Sequence, residues 1–413
     1  MSNEFFPDGT PIDGWFYDYS LPNQKALGKK FIITDYGAEA GIGVQTEKIQ
    51  SAIDAAFSSG GGVVTVPKGT FYTGALFFKA GVSLLIEKDG VLKGSEHISD
   101  YPVVTTRIEG QTCKYFAALI NADNVDGFTV FGEGTIDGSG EEFWKAFWLR
   151  RAWNPSCTNK DEQRPRLLYV SNSNNVTLAG VTLKNSPYWT THFYKCEKVK
   201  VMGVKIITGK PAPSTDGVDI DACQDVLVKN CSICTDDDGV VLKGGKGPYA
   251  DTDQTNGKNE RIIVEDCEFL GSHGIITLGS ESVYSKNVLV RRVRGEKVHQ
   301  AVWLKLRPDT PQRYEYVTVD GLTGDFDSVV LVRPWTQFFD LKGRTGKPKS
   351  VAQNITLKNC NCTAKVFFAV ESSSDYELKD FTLENVTVTA GRSGLDSGAI
   401  ENLTLNDVTV NER

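Results

Sequence analysis

The sequence predicts an all-β chain wound as a single-stranded right-handed parallel β-helix with an N-terminal helical cap. Three observations carry this expectation. Short β-branched runs recur along the chain, turn residues separate them, and most units, at 22 to 29 residues, are too short for a four-stranded propeller blade of about 40 residues. The runs begin with Val176-Thr-Leu178, Val199-Lys-Val201, Val226-Leu-Val228 and Ile262-Ile-Val264. They continue through Val288-Leu-Val290, Val317-Thr-Val319, Ile355-Thr-Leu357, Phe381-Thr-Leu383 and Leu403-Thr-Leu405. Their spacing ranges from 22 residues (403 − 381) to 38 (355 − 317). Alternation of apolar and polar positions in β-branched runs makes them strands rather than helices. Each unit adds a second run, as in Gly239-Val-Val-Leu242, Gly274-Ile-Ile-Thr277 and Ser328-Val-Val-Leu331, so a coil holds two or three strands. Asn or Asp often follows the first run, as in Lys229-Asn-Cys231, Glu265-Asp-Cys267 and Lys358-Asn-Cys360, and supplies turns.

Taken from the N-terminus, residues 46–57 carry Ile49, Ile53, Ala56 and Phe57 at helical spacing. Thr46 is placed to cap that helix, and Gly60 to Gly62 to end it. Such a helix covers the open end of a solenoid, whose bare strands would otherwise invite pairing. The expected division is an extension and cap over residues 1–62 and coils over 63–413. Length alone, at 413 residues, points to two or three domains, but an unbroken solenoid makes one domain over 1–413. No apolar run is long enough for a membrane helix, and a net charge of −7 does not point to nucleic acid. Nine cysteines leave at least one unpaired, and Cys231 and Cys267 share a phase (267 − 231 = 36, as from Val226 to Ile262) that reads as stacked core. Cys231-x-x-Cys234 lacks the second pair a zinc site needs, so no metal or cofactor is expected. The Asn-x-Thr triplets at Asn175, Asn354, Asn361, Asn385 and Asn402 follow from the strand pattern. Met1-Ser-Asn-Glu lacks the apolar core of a leader, which leaves a cytosolic protein or one whose leader is removed.

Chemistry concentrates in four segments: Ser214-Thr-Asp-Gly-Val-Asp219, Thr235-Asp-Asp-Asp-Gly-Val-Val-Leu-Lys243, Gly271-Ser-His-Gly274 and Trp303-Leu-Lys305. Val226 precedes Asp237 by 11 residues and Ile262 precedes His273 by 11, which sets these two at equivalent points of adjacent coils. Asp216 has the same local form, and Lys305 falls within the corresponding later strand. Strands stack at about 4.8 Å, so Asp216, Asp237, His273 and Lys305 are expected in one patch. Clustered carboxylates raise one another's pKa, so that one stays protonated as an acid while another serves as base. Glycoside hydrolysis needs that pair of states.

These four segments, with Asn185-Ser-Pro-Tyr-Trp189 upstream, resemble the signature motifs of the polygalacturonases, glycoside hydrolase family 28. The resemblance covers roughly residues 30–410 and implies hydrolysis of pectic glycosidic bonds with inversion, without a metal. It implies Asp237 as general acid, Asp216 and Asp238 as the pair that holds and activates water, and His273 as support for the acid. Lys305 is then the lysine that binds a substrate carboxylate, and Asp236 a corner residue. The chain departs from the family at Trp303, where an arginine usually precedes the motif's lysine by two positions. That removes a bidentate carboxylate clamp. Either Arg307 or Arg333 takes its place, or Trp303 stacks on a neutral sugar such as rhamnose.

Seven Lys/Arg (Arg291, Arg292, Arg294, Lys297, Lys305, Arg307, Arg313) lie within residues 291–313, and Lys243 and Lys246 follow the aspartate run. They form either a solvated face or a basic patch that steers anionic sugars, with Lys243 among the binding residues. The aromatic stretch Phe143, Trp144, Phe147, Trp148 and Trp153 either covers the core or walls off one end of the cleft. The second option makes the enzyme exo-acting on pectic oligosaccharides, and a pectic substrate favours a periplasmic or secreted location. Two alternatives stand beside the exo-acting hydrolase. One is a rhamnogalacturonan-specific hydrolase. The other is a calcium-dependent pectate lyase, for which residues 251–260 give a calcium loop without the glycine it needs at the sixth position. A non-catalytic carbohydrate-binding solenoid would not need acids in phase.

Overall fold

The computed structural model describes residues 4–412. It is a right-handed parallel β-helix whose strands join in one continuous ladder, apart from a two-stranded antiparallel hairpin, Val103–Ile108 with Gln111–Phe116. The repeat read from the sequence holds residue by residue. Val176 lies opposite Val199, Val199 opposite Val226, Val226 opposite Ile262, and Ile262 opposite Val288. The register carries on through Val317, Ile355, Phe381 and Leu403. A middle coil has three strands, for example Val218–Asp221, Gln224–Lys229 and Ser232–Cys234. Their inward residues stack as one column of buried Val, Ile and Leu, in which Cys231 and Cys267 sit as small apolar side chains.

The corners have a backbone cause. The residue before each first run adopts left-handed φ between 54° and 60°: Asn175, Lys198, Asp225, Arg261, Asn287, Tyr316, Asn354, Asp380 and Asn402. A second left-handed corner follows four residues into the unit, as at Asn230, Asp266, Asn359 and Asn385. Asn and Asp tolerate this region better than other L-residues, which is why they punctuate the sequence. Neighbouring coils join at these corners, since Asn385 Nδ2 donates to Asn359 Oδ1 at 2.8 Å and Asn359 Nδ2 to Asp320 Oδ1 at 2.7 Å.

The N-terminal end differs from expectation in three ways. The cap helix is Thr46–Ser58, but Gln45 holds the capping position, and Thr46 Oγ1 accepts the Gly74 N–H at 2.7 Å instead. Ile49, Ala52, Ile53 and Ala56 face the core, while Phe57 is exposed beneath Lys79. The ladder also starts well before residue 63, because Lys30–Ile32 pairs with Gly62–Val66. The preceding extension does not sit on the solenoid's end at all. It runs along the middle coils, where Phe6, Ile12 and Phe16 pack on Leu227, Ile263 and Leu289. Charges fix it there, with Arg291 to Glu4 at 2.8 Å and Lys286 to Asp8 at 2.8 Å.

Candidate active site

Strand alternation builds the site. Val218, Ile220, Val240 and Leu242 point into the core, so Asp219, Asp221 and Lys243 lie on the opposite face, beneath the covering loops. Asp216 and the run of residues 236–238 precede these strands, at the corner. There consecutive side chains are released from alternation, and both Asp237 and Asp238 turn into the cleft. The glycines that follow are dictated by stacking. A Cβ on Gly217 would lie 2.6 Å from the Gly239 carbonyl oxygen, and one on Gly239 would lie 2.6 Å from the Phe269 ring.

The predicted column needs correction. The ladder sets Val218 opposite Val240, hence Asp216 beside Asp238 (238 − 216 = 240 − 218), and His273 N–H binds the Asp237 carbonyl at 2.8 Å. Lys305 is not in phase. Gln300 is the residue opposite Gly274, and Lys305 lies five positions further along the strand (305 − 300), opposite Arg333. Its length brings the ammonium back to the acids. Lys305 Nζ reaches Asp238 Oδ2 at 2.7 Å, while Thr277 Oγ1 donates to Asp238 Oδ1 at 2.9 Å.

Asp216, Asp237 and Asp238 offer carboxylate oxygens within 4.8 Å of one another. Among the described residues this trio is the group with the spacing to take a cation, but Lys305 already engages one of its members. His273 Nδ1 lies 3.4 Å from Asp237 Oδ1. Burial works against the Asp237 charge, yet His273, Lys305 and Lys243 outweigh it and hold the carboxyl at about 2. Asp216 goes the other way, pushed well up by burial and by the charges of Asp237 and Asp219. His273 is held above its ordinary value because Asp237 and Asp238 outweigh its burial. The two acids are thus driven in opposite directions, Asp216 toward its protonated form and Asp237 toward the carboxylate that faces His273.

Lys243 Nζ sits 3.4 Å from Asp216 Oδ2, 3.4 Å from Asp219 Oδ1 and 3.8 Å from Glu281 Oε2, and 4.3 Å over the Trp189 ring. It is a buried counterion rather than a free hand for substrate. Arg307 is likewise committed. It pairs with Asp309 at 2.7 Å and donates to the carbonyls of Gln337 and Phe338, bracing a loop that lines the cleft. Arg333 is exposed and outside the cleft lining. Most of the expected basic patch is paired: Arg291 and Arg292 with Glu265, Arg294 with Glu296, and Arg313 with Glu315, while Lys297 has no ion pair among the described residues. Trp303 does line the cleft, with Lys305 Nζ 4.0 Å over its ring and Trp335 edge-on at 5.5 Å. Its indole N–H is buried without a partner. Asp236 is a corner residue, accepting the Ala212 N–H at 2.7 Å.

The cleft encloses about 500 Å³. The aromatic stretch forms the helix Glu141–Trp153, burying Phe143, Trp144 and Phe147. The helix therefore covers the core, and its Trp148 and Arg151 also line the cleft. Trp148 Nε1 anchors on the Pro211 carbonyl at 3.2 Å. The hairpin turn brings Glu109 into the lining, and Asn159 joins it, donating to Glu109 at 2.8 Å. These segments bind the coils of Tyr188 and Ser214, so they stand at the end of the cleft nearer the N-terminus. Sequence reasoning missed Asp219, Glu281, Trp335 and Arg151. Only Asp219 left a signal, in the Val218-Asp-Ile-Asp221 alternation that puts two acids on the face away from the core.

Known proteins resemble this chain in sequence and in fold. The model for glycosyl hydrolases family 28 matches residues 62–302. An endo-polygalacturonase of Pectobacterium carotovorum subsp. carotovorum is 30% identical over 230 residues, 53% of this chain and 54% of its own length. A probable polygalacturonase of Vitis vinifera is 28% identical over 52% of this chain and 45% of its own length. The chain thus spans about half the length of these curated relatives. Among solved structures, a hyperthermoactive exopolygalacturonase from Thermotoga maritima superposes with a TM-score of 0.80 at 23% identity, covering 95% of this chain and 93% of that one. A family 28 exopolygalacturonase of Yersinia enterocolitica gives 0.75 at 20% identity, covering 93% and 79%. Identities this low speak for the fold alone.

Proposed function

Because the chain belongs to glycosyl hydrolases family 28, we propose that it hydrolyses the glycosidic bonds of pectic chains, releasing galacturonic acid from the end of an oligosaccharide. The observation that carries this reading is the carboxylate trio at the floor of a cleft, flanked by a lysine and a histidine. Asp237 is the acid. Its side chain is 26% exposed, against 5% for Asp216 and 2% for Asp238, so it is the member that reaches a glycosidic oxygen. Its low pKa without substrate opposes that role, and geometry outweighs it for a physical reason. Asp216 and Asp237 act on one another's charge, and a uronate arriving beside Asp237 adds negative charge and excludes water, both of which raise its pKa. The proton then passes from the Asp216 side to Asp237. Asp216 and Asp238 are left to hold the attacking water, with Lys305 and Thr277 fixing Asp238.

Oxygens within 4.8 Å fall below the carboxyl separation of about 6.5–9.5 Å usual for inversion. That rule describes two carboxyls flanking the bond, whereas in this reading two of the three, Asp216 and Asp238, share one water. The anomer first formed, read by proton NMR, is expected to be inverted. The exo reading rests on the wall made by Trp148, Arg151, Glu109 and Asn159. Incubation with oligogalacturonides is expected to release monogalacturonate first, and a ladder of intermediate sizes would refute exo action. Activity is expected to survive EDTA without an ultraviolet-absorbing product; loss on chelation, or a new double bond, would point to the calcium-dependent lyase. A pectic substrate favours a periplasmic or secreted location.

One observation favours a second reading. The Trp303–Trp335 pair presents aromatic surface and an unpartnered indole N–H where the family has an arginine. That suits a neutral sugar beside the scissile bond, and cleavage confined to rhamnogalacturonan oligosaccharides would establish it.

A further inference from the structure

A pectic substrate brings its own carboxylates, and the cleft must offer them an unneutralised cation. Three Lys/Arg side chains line it. Lys305 is held by Asp238, and Lys243 by Asp216, Asp219 and Glu281. The third, Arg151, has no carboxylate partner and no hydrogen bond among the described residues. Its guanidinium lies 5.2 Å over the Phe147 ring, half-buried, on the helix that lines the cleft beside Trp148. Two neighbours complete a pocket. Trp148, on the same helix, keeps 37% of its surface exposed while its indole N–H is anchored, a fixed plate for the apolar face of a sugar. Tyr188 is fully buried, stacked 4.9 Å from Trp189, and its hydroxyl has no partner although the residue lines the cleft. A buried hydroxyl left without a partner is costly, and a sugar hydroxyl in the pocket would satisfy it.

We infer that Arg151, Trp148 and Tyr188 form the subsite that recognises the terminal uronate, with Arg151 clamping its carboxylate. The planar guanidinium fork matches a carboxylate bidentately, as an ammonium does not. Glu109, at the same end, repels the carboxylate and accepts from sugar hydroxyls, so the ring enters in one orientation. The aromatic helix is thus both the wall that ends the cleft and the reader of what stops against it. This assignment rests on the pectic reading above, but its test does not depend on turnover.

Galacturonate and galactose are titrated separately onto the full chain and followed by protein-observed NMR or calorimetry. Galacturonate is expected to bind more tightly, because galactose differs in lacking the carboxylate. Arg151→Gln should erase that preference, weakening galacturonate roughly 10- to 100-fold and leaving galactose unchanged. Tyr188→Phe is expected to weaken both sugars while leaving Tm unchanged or raised, since it removes a buried hydroxyl that has no partner among the described residues. A purely structural tyrosine would show the reverse pattern. Equal binding of the two sugars by the unaltered protein, or an undiminished preference in Arg151→Gln, overturns the assignment. If the preference follows Arg151 but oligogalacturonides are not cleaved, the subsite stands and the hydrolase reading falls.

Discussion

At the scale of single residues, the site is an exercise in placing one proton among buried acids. Asp237→Asn is expected to lower kcat about 10²- to 10⁴-fold, the share of a general acid, with the fold intact by circular dichroism. Asp216→Asn and Asp238→Asn should fall similarly, because the proposed mechanism has each hold the water. An aryl galacturonide with a good leaving group separates the roles: it should restore much of the rate to Asp237→Asn and little to the other two. Near-normal turnover by Asp237→Asn on natural substrate would remove it from the mechanism. Asp219 supports a second prediction. Burial pushes it to about 7 against the influence of Lys243. In the unfolded chain it titrates near 4, so between about pH 4 and 7 the unfolded state releases a proton that the folded state keeps. The group therefore costs stability as pH rises through this window and levels off above about 7. Asp219→Asn is expected to gain roughly 1–4 kcal/mol relative to the parent on going from pH 4 to 8. Denaturant titrations at the two pH values measure it, and parallel pH dependences would show that Asp219 is ionised throughout.

At the scale of elements, the strands place the chemistry and the loops limit it. The corners at Asp216 and at residues 236–238 release side chains from alternation, and the glycines after them allow the coils to close up. The helix Glu141–Trp153 divides its residues between two tasks, with Phe143, Trp144 and Phe147 buried and Trp148 and Arg151 in the cleft. Trp153, 85% exposed, serves neither. Trp148→Ala should open the closed end without unfolding the helix, whose buried side chains remain. Chromatography of early products is then expected to shift from monogalacturonate toward dimers and longer fragments. An unchanged product pattern would move the barrier to the hairpin turn at Glu109.

At the scale of the whole molecule, a solenoid's stability is a sum over neighbouring coils, and the N-terminal extension breaks that locality. By packing Phe6, Ile12 and Phe16 on Leu227, Ile263 and Leu289, it straps together strands that lie far from it in sequence. Removing the chain up to residue 20 should cost on the order of 5 kcal/mol from lost apolar burial, seen as a lower Tm. Activity below Tm should persist, since the strap lies on other strands than the cleft. A Tm equal to that of the full chain would mean the strap contributes nothing.

The repeat was legible because its cause is local. Each coil needs β-branched strands and residues that tolerate a left-handed corner, so Val176 through Leu403 could be aligned before any coordinates, and the ladder keeps that alignment. Asp216, Asp237, Asp238 and His273 were legible for a related reason: they share corner chemistry, an acid or imidazole before a close-packed glycine. What tertiary structure alone decided depends on the reach of side chains and on segments distant in sequence. The sequence fixes neither whether Lys305 bends back to Asp238 from five residues out of phase nor whether Arg307 turns to Asp309. Nor does it say that the Arg291 region is neutralised by acids from Glu4 and the coil before it, or that Arg151 is left without a partner. Charges are matched in space, and the covering segments that do the matching obey no period.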